Sequence, residues 1–124
     1  MAKILVIDDE DDVRAVVRGV LESAGHDVLA APNGARGLDV LRESGAELVI
    51  TDILMPEREG IETIRDIRQE FPGVRVIAMS GGGRLLKSTT HFLTASALGA
   101  HAVLRKPFGP EVLLSAVEDA LKAK

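Results

Sequence analysis

Five side chains that could take part in metal-assisted chemistry are spread along the chain: Asp8, Asp9, Asp52, Ser80 and Lys106. Carboxylate oxygens are the protein ligands that Mg²⁺ accepts, and this ion fills the rest of its octahedron with water and phosphate oxygens. A lysine supplies a compact cation, and a serine hydroxyl can donate a hydrogen bond to an oxyanion. If these side chains meet, the set is suited to phosphoryl transfer onto a carboxylate.

The elements that must position these side chains alternate strictly along the chain. Short aliphatic runs predict buried strands over 3–7, 27–31, 48–51, 74–79 and 102–104. Apolar residues at helical spacing predict a helix after each strand; the stripe of the first includes Val16 and that of the last includes Val112. This alternation predicts an α/β domain in which helices cover both faces of a parallel sheet.

Four of the five predicted strands end on a polar side chain. Asp8 and Asp9 follow the first strand, Asp52 the third, Ser80 the fourth, and Lys106 comes shortly after the fifth. In parallel sheets covered by helices, ligands bind beyond the carboxyl ends of the strands. We therefore expect these side chains to meet at one edge of the sheet.

Each of these features also has a purely structural interpretation. The acidic run over 8–12 could cap a helix, and an aspartate after a strand often belongs to a turn. The glycines after Ser80 could form a flexible loop, and most lysines are solvated. The occurrence of all four features at the same predicted edge favours a functional site.

Composition excludes several classes of protein. The 124 residues suit one domain, and 46% hydrophobic residues suffice for a core. A net charge of −4 and 2% aromatic residues argue against a nucleic-acid surface, and the absence of cysteine excludes disulfides and thiolate sites. Without a signal peptide or an apolar run of about 20 residues, we expect a soluble cytoplasmic domain with no membrane partner.

The order and spacing of these residues match a known family. The chain resembles the receiver domain of two-component response regulators, of the stand-alone chemotaxis-regulator type. The resemblance implies one receiver domain over 1–124 and a flavodoxin-like, doubly wound (βα)5 sheet with strand order 2-1-3-4-5. The motifs that carry it are Asp8-Asp9, Asp52 with Met55-Pro56 and Gly60, Ser80, and Lys106-Pro107-Phe108.

The resemblance also implies a role for each site residue. Asp52 would accept a phosphoryl group, and Asp8, Asp9, Asp52 and the backbone carbonyl of Leu54 would hold Mg²⁺. Lys106 would pair with the carboxylate and then with the phosphoryl group, toward which Ser80 would swing. The Lys106–Pro107 peptide bond is expected to be cis.

The implied partners are proteins. The phosphodonor would be a sensor histidine kinase or a histidine phosphotransfer protein, and the output partner is unknown. Phosphorylation would switch binding on the face formed by the predicted helix over 85–98, the fifth strand and the last helix. The chain would catalyse only its own phosphorylation and dephosphorylation, either as a stand-alone regulator or phosphorelay shuttle or as part of a longer protein.

Two features depart from the family pattern, and both concern the output face. Val103 occupies the position of the family's switch aromatic, and the segment between Ser80 and Lys106 is longer than usual by about one helical turn. A receiver-like interaction module that is not phosphorylated is a separate alternative, disfavoured because Asp8, Asp9, Asp52 and Lys106 are all present. A flavodoxin-like electron carrier is a third interpretation, disfavoured because no Trp or Tyr is available to flank a flavin.

Overall fold

The structure is a computed structural model that describes residues 2–53, 59–80 and 99–122, with the side chains of 59–61 excepted. The predicted helix over 85–98 and the glycines at 81–83 lie outside these residues. The described strands are β1 (Lys3–Ile7), β2 (Asp27–Ala31), β3 (Leu48–Asp52), β4 (Arg75–Ser80) and β5 (Ala102–Arg105). The described helices are α1 (Asp11–Ser23), α2 (Gly34–Ser44), α3 (Glu59–Glu70) and the C-terminal helix α4 (Pro110–Lys122).

The strands form one parallel sheet in the order β2-β1-β3-β4-β5. This confirms the predicted α/β class and the strand order implied by the resemblance. The central strands are almost wholly aliphatic because both of their faces are covered. Successive residues of a strand point to opposite faces, so each central strand serves two cores.

The two cores lie on opposite faces of the sheet. On one face, Ile4 and Val6 of β1 pack in the cluster that contains Val17 of α1 and Leu113 of α4. On the other face, alternate residues of the same strands pack against α2 and α3. This second cluster includes Leu5, Ile7, Val49, Leu41, Ile64 and Ile67. The sheet is thus covered on both sides, and its carboxyl edge remains available for a site.

Helix α2 packs directly against the end of β1 through Gly37. Asn33 caps α2 by accepting a hydrogen bond from the Arg36 N–H at 2.9 Å. A Cβ atom on Gly37 would lie 2.3 Å from Cδ1 of Ile7, so the helix can approach the strand only because this residue has no side chain. Ile7 directly precedes Asp8, and this contact therefore supports the start of the candidate site.

Two residues assigned to buried helical stripes are exposed, and that part of the sequence interpretation is wrong. Val16 in α1 is 66% exposed and Val112 in α4 is 52% exposed. Val17 and Leu113, their neighbours in sequence, occupy the buried positions. Adjacent helical residues are separated by about 100° around the axis, so an apolar residue at the margin of a stripe can lie outside the contact.

Candidate functional site

The carboxyl ends of four strands bring the predicted side chains to one edge of the sheet. Asp8 follows β1, Asp52 is the last residue of β3, Ser80 is the last of β4, and Lys106 follows β5. The parallel register pairs Ile7 with Thr51 and Asp52 with Met79. The Lys106 N–H donates to the Ser80 carbonyl at 2.8 Å, which extends the ladder between β4 and β5 by one residue.

The ammonium of Lys106 bridges two buried carboxylates at the centre of this edge. Its Nζ donates to Asp8 Oδ2 at 3.0 Å and to Asp52 Oδ2 at 2.9 Å. Asp8 is fully buried and Asp52 is 3% exposed, whereas the Lys106 side chain keeps 18% of its surface in contact with solvent. The buried charges are therefore hydrogen-bonded across three strand ends, as buried ions require.

The two carboxylates stabilise the charged form of Lys106. Partial burial alone would lower the pKa of its ammonium, but the hydrogen bonds and negative charges of Asp52 and Asp8 outweigh burial and leave this pKa raised. Lys106 is consequently a permanent cation at neutral pH, available to a carboxylate or a phosphoryl oxygen.

A cluster of four carboxylates surrounds this position. Asp8, Asp9, Glu10 and Asp52 each offer one oxygen, and these four oxygens lie within 4.8 Å of one another. Asp9 and Glu10 are exposed, so the cluster opens to water on one side. An oxygen-only donor set with solvent access suits Mg²⁺, which keeps several of its waters when a protein binds it.

Backbone and side-chain contacts orient Asp8 within the cluster. The Glu10 N–H donates to Asp8 Oδ1 at 2.9 Å, while Lys106 takes Oδ2. Nη1 of Arg14 donates to the Asp8 backbone carbonyl at 2.6 Å, and Nη2 of Arg14 pairs with Asp11.

The sequence interpretation did not select Glu10 as a site residue. Its position in the same acidic run, one residue after the aspartate pair, is the only signal that pointed to it.

Ser80 carries a buried hydroxyl at this edge. Ser80 is fully buried, and its Oγ has no hydrogen-bond partner among the described residues. Buried hydroxyl groups are nearly always paired, so such an exception calls for an explanation. Ser80 lies one residue beyond Met79, the partner of Asp52 in the β3–β4 register, so this hydroxyl stands at the strand end next to Asp52.

The remaining predicted features fall outside the site or outside the described residues. Leu54, Met55 and Pro56 lie in the undescribed part of the chain, as do the residues between Ser80 and Gly99 that carry the predicted extra turn. Val103 is half-buried and packs on the face covered by α2 and α3. The peptide bond between Lys106 and Pro107 is cis, as the resemblance implied.

Comparison with known proteins identifies the family. The model of the response regulator receiver domain matches residues 4–118. A chemotaxis protein CheY homologue of Campylobacter jejuni is 32% identical over 123 residues, which cover 96% of this chain and 92% of that protein. The transcriptional regulatory protein GlrR of Escherichia coli K12 is also 32% identical, over 98% of this chain. The chain spans only 26% of GlrR, about a quarter of its length.

Solved structures agree with the sequence comparison. A response regulator receiver domain protein from Clostridium thermocellum shares 34% identity, with a TM-score of 0.88 over 98% of this chain and 94% of that one. The receiver domain of NtrX from Brucella abortus shares 30% identity, with a TM-score of 0.90 over 98% and 99% of the two chains.

The chain belongs to the receiver domains of two-component response regulators. The predicted family is therefore confirmed. Receiver domains are signalling modules rather than conventional enzymes, they generally bind Mg²⁺ at an acidic pocket, and phosphorylation that switches partner binding is consistent with the family. Among the residues that the structure describes, every helix is too short or too polar to span a bilayer.

Proposed function

We propose that residues 1–124 form one receiver domain in which Asp52 accepts a phosphoryl group. The observation that carries this proposal is the position of the Lys106 ammonium, 2.9 Å from Asp52 Oδ2 and 3.0 Å from Asp8 Oδ2, beside a cluster of acidic oxygens. A carboxylate nucleophile, a fixed cation and oxygen ligands for a divalent ion are the parts that phosphoryl transfer needs.

In the proposed reaction, a carboxylate oxygen of Asp52 attacks the phosphorus of a phosphohistidine on a sensor histidine kinase or a histidine phosphotransfer protein. The new O–P bond makes an acyl phosphate, the N–P bond breaks, and its electron pair returns to the imidazole nitrogen. Lys106 already contacts Oδ2 and is the side chain available to follow the negative charge onto the phosphoryl oxygens. Asp8 orients Lys106 through its own hydrogen bond.

Asp8, Asp9 and Asp52 would hold Mg²⁺, together with the backbone carbonyl of Leu54. When bound, this ion supplies charge neutralisation among the carboxylates and the phosphoryl oxygens. Ser80 supplies a buried hydroxyl that would donate to a phosphoryl oxygen, and its pairing there would report phosphorylation. We assign Asp52, Lys106 and Ser80 as the reactive set, and we infer that the chain catalyses only its own phosphorylation and dephosphorylation.

Phosphorylation would change binding of an output protein on the face that includes β5 and α4. We further infer that this signalling takes place in the cytoplasm, where histidine kinases present their phosphohistidine. No nucleic-acid or membrane partner is proposed.

The test is phosphorylation of the full chain with acetyl phosphate and Mg²⁺, followed by intact mass. We expect one added phosphoryl group on the wild type and none on Asp52→Asn. Profiling against candidate histidine kinases identifies the donor. If neither acetyl phosphate nor any kinase adds phosphate, the proposal is wrong and the alternative of an unphosphorylated interaction module replaces it.

A further inference from the structure

A histidine stands directly before each of the two outer strands of the sheet. His26 precedes β2 and His101 precedes β5. The Ala2 N–H donates to Nδ1 of His26 at 3.1 Å, and the Val76 N–H donates to Nδ1 of His101 at 3.2 Å. The donor to His101 belongs to the inner strand β4, whereas the donor to His26 is the residue directly before the inner strand β1.

Of these two strands, only β5 leads to a side chain of the candidate site. It has four residues, and Lys106 follows it immediately. Its first end is attached to β4 by the His101 N–H, which donates to the Val76 carbonyl at 2.7 Å, and by the imidazole contact. At its other end, the Lys106 N–H donates to the Ser80 carbonyl at 2.8 Å. Because β5 is so short, a shift in its pairing with β4 at His101 would also displace Lys106.

We propose that His101 is a positioning residue for Lys106: its imidazole holds the start of β5 in register with β4 and thereby keeps the Lys106 ammonium between Asp8 and Asp52. Val76, whose N–H donates to this imidazole, is a fully buried residue, so its backbone donor needs a partner within the fold. This inference rests on the role proposed above for Lys106.

The contact requires a neutral imidazole, because a protonated ring carries a hydrogen on both nitrogens and cannot accept. Partial burial lowers the pKa of His101, and the charges of Arg68 in α3 and Arg75 in β4 lower it further; backbone hydrogen bonding with Val76 opposes this shift but does not reverse it. Glu111 and Asp119 of α4 are the charged residues that line the same surface cavity as His101. The neutral form therefore prevails at pH 7, and acidification releases the contact.

The experiment compares matched substitutions at the two histidines. In the Asn variants, Oδ1 can replace Nδ1 as an acceptor without titrating, whereas the Leu variants have no acceptor. The initial rate of phosphorylation by acetyl phosphate at saturating Mg²⁺ is measured by intact mass, from about pH 5.5 to about pH 8, a range that spans the titration of histidine. His26→Asn and His26→Leu are the controls, because β2 contributes no side chain to the site and contacts it only through the Asp8 N–H, which donates to the Ala31 carbonyl at 3.2 Å.

At about pH 7.5, which is one unit above the ordinary histidine pKa, we expect the phosphorylation rate of His101→Asn to match that of the wild type. We expect His101→Leu to be about tenfold slower, less than the hundredfold that a 1 Å misplacement of a reactive group can cause. Below about pH 6 the wild type should lose rate relative to His101→Asn, since only the wild type titrates at this position. Both His26 variants should stay close to the wild-type rate.

Three results would overturn the inference: a wild-type rate for His101→Leu, an equal loss of rate in His26→Leu, or an identical acid limb in His101→Asn and the wild type. If a Leu variant folds poorly, the dependence of the phosphorylation rate on pH in His101→Asn still decides the question. The Lys106→Met variant distinguishes a failure of the positioning role of His101 from a failure of the proposed function. If Lys106→Met reacts at the wild-type rate, the role of Lys106 itself is wrong; if it is slow while His101→Leu is not, only the positioning role is wrong.

Discussion

Nζ of Lys106 lies 2.9 Å from Oδ2 of Asp52 and also contacts the carboxylate of Asp8, which is fully buried. One ammonium therefore compensates two carboxylates that have almost no access to water. Removing one partner of a buried ion pair leaves an uncompensated charge, and this usually costs more than the pair itself contributes.

We accordingly expect Lys106→Met to lower the free energy of unfolding by about 3 kcal/mol at pH 7, the low end for a broken buried pair, because the lysine keeps some contact with water. Urea denaturation measures this change. Lys122→Met is the control, since Lys122 is exposed in the last turn of α4 and its loss should change stability by less than about 0.5 kcal/mol. Equal effects in the two variants would contradict the importance of the bridge.

Mg²⁺ should stabilise the folded chain through the acidic cluster. At a concentration about 100 times the dissociation constant, a ligand specific for the folded state adds about 2.7 kcal/mol. We expect Asp9→Asn to lose most of this gain, because Asp9 belongs to the cluster. Asp12→Asn removes the same charge from the same acidic run, outside the four clustered residues, and should keep the gain. Thermal unfolding with added Mg²⁺ or EDTA makes the comparison.

Ser80→Ala should cost little stability, in contrast to the removal of a paired hydroxyl. The Ser80 Oγ is buried and has no partner among the described residues, so its loss should leave the free energy of unfolding unchanged or raise it by about 1 kcal/mol. Thr51 is equally buried, but its Oγ1 donates to the Asp52 carbonyl at 3.3 Å. Thr51→Val should therefore destabilise by about 1 kcal/mol. A clear loss of stability in Ser80→Ala would show that its hydroxyl is already paired.

Two helical glycines should respond to alanine in opposite directions. In Gly37→Ala the new methyl group would overlap the side chain of Ile7, and we expect a loss of about 1–3 kcal/mol. Gly19 in α1 has nothing within 4 Å of an added Cβ, so Gly19→Ala should gain about 0.5–1 kcal/mol from helix propensity. Chemical denaturation of both variants tests the close packing of α2 on β1, and a gain in both would refute it.

The sequence predicted most of the fold because short, fully buried strands have a distinctive composition. The predictions for β1 and β2 agree with the structure at both ends, β3 and β5 each extend one residue further than predicted, and β4 begins and ends one residue later. Asp52 and Ser80 were expected to follow their strands, since polar side chains usually mark a strand end. Both remain inside the parallel ladder because the site buries them as part of the sheet edge.

Contacts between distant segments could not be predicted in the same way. The predicted strand ends brought Asp8, Asp52 and Lys106 to one edge of the sheet. The two hydrogen bonds that the Lys106 ammonium donates, however, depend on side-chain rotamers that no local sequence pattern specifies. Glu10 occupies the N-cap position of α1, yet its side chain makes no capping hydrogen bond and its carboxylate lies in the acidic cluster. The requirement for glycine at position 37 appears only when α2 lies against Ile7.

The hydrogen bond between Lys106 and Asp8 joins residues that are 98 positions apart in the chain. Ribosomes deliver a polypeptide from its N-terminus at about 5–20 residues per second, so β1 and β3 leave the exit tunnel seconds before β5 does. During this interval the nascent chain already carries its acidic residues but lacks the ammonium that compensates them. The site therefore cannot assemble until synthesis has passed Lys106, and a nascent chain that ends before this residue lacks the cation of the site.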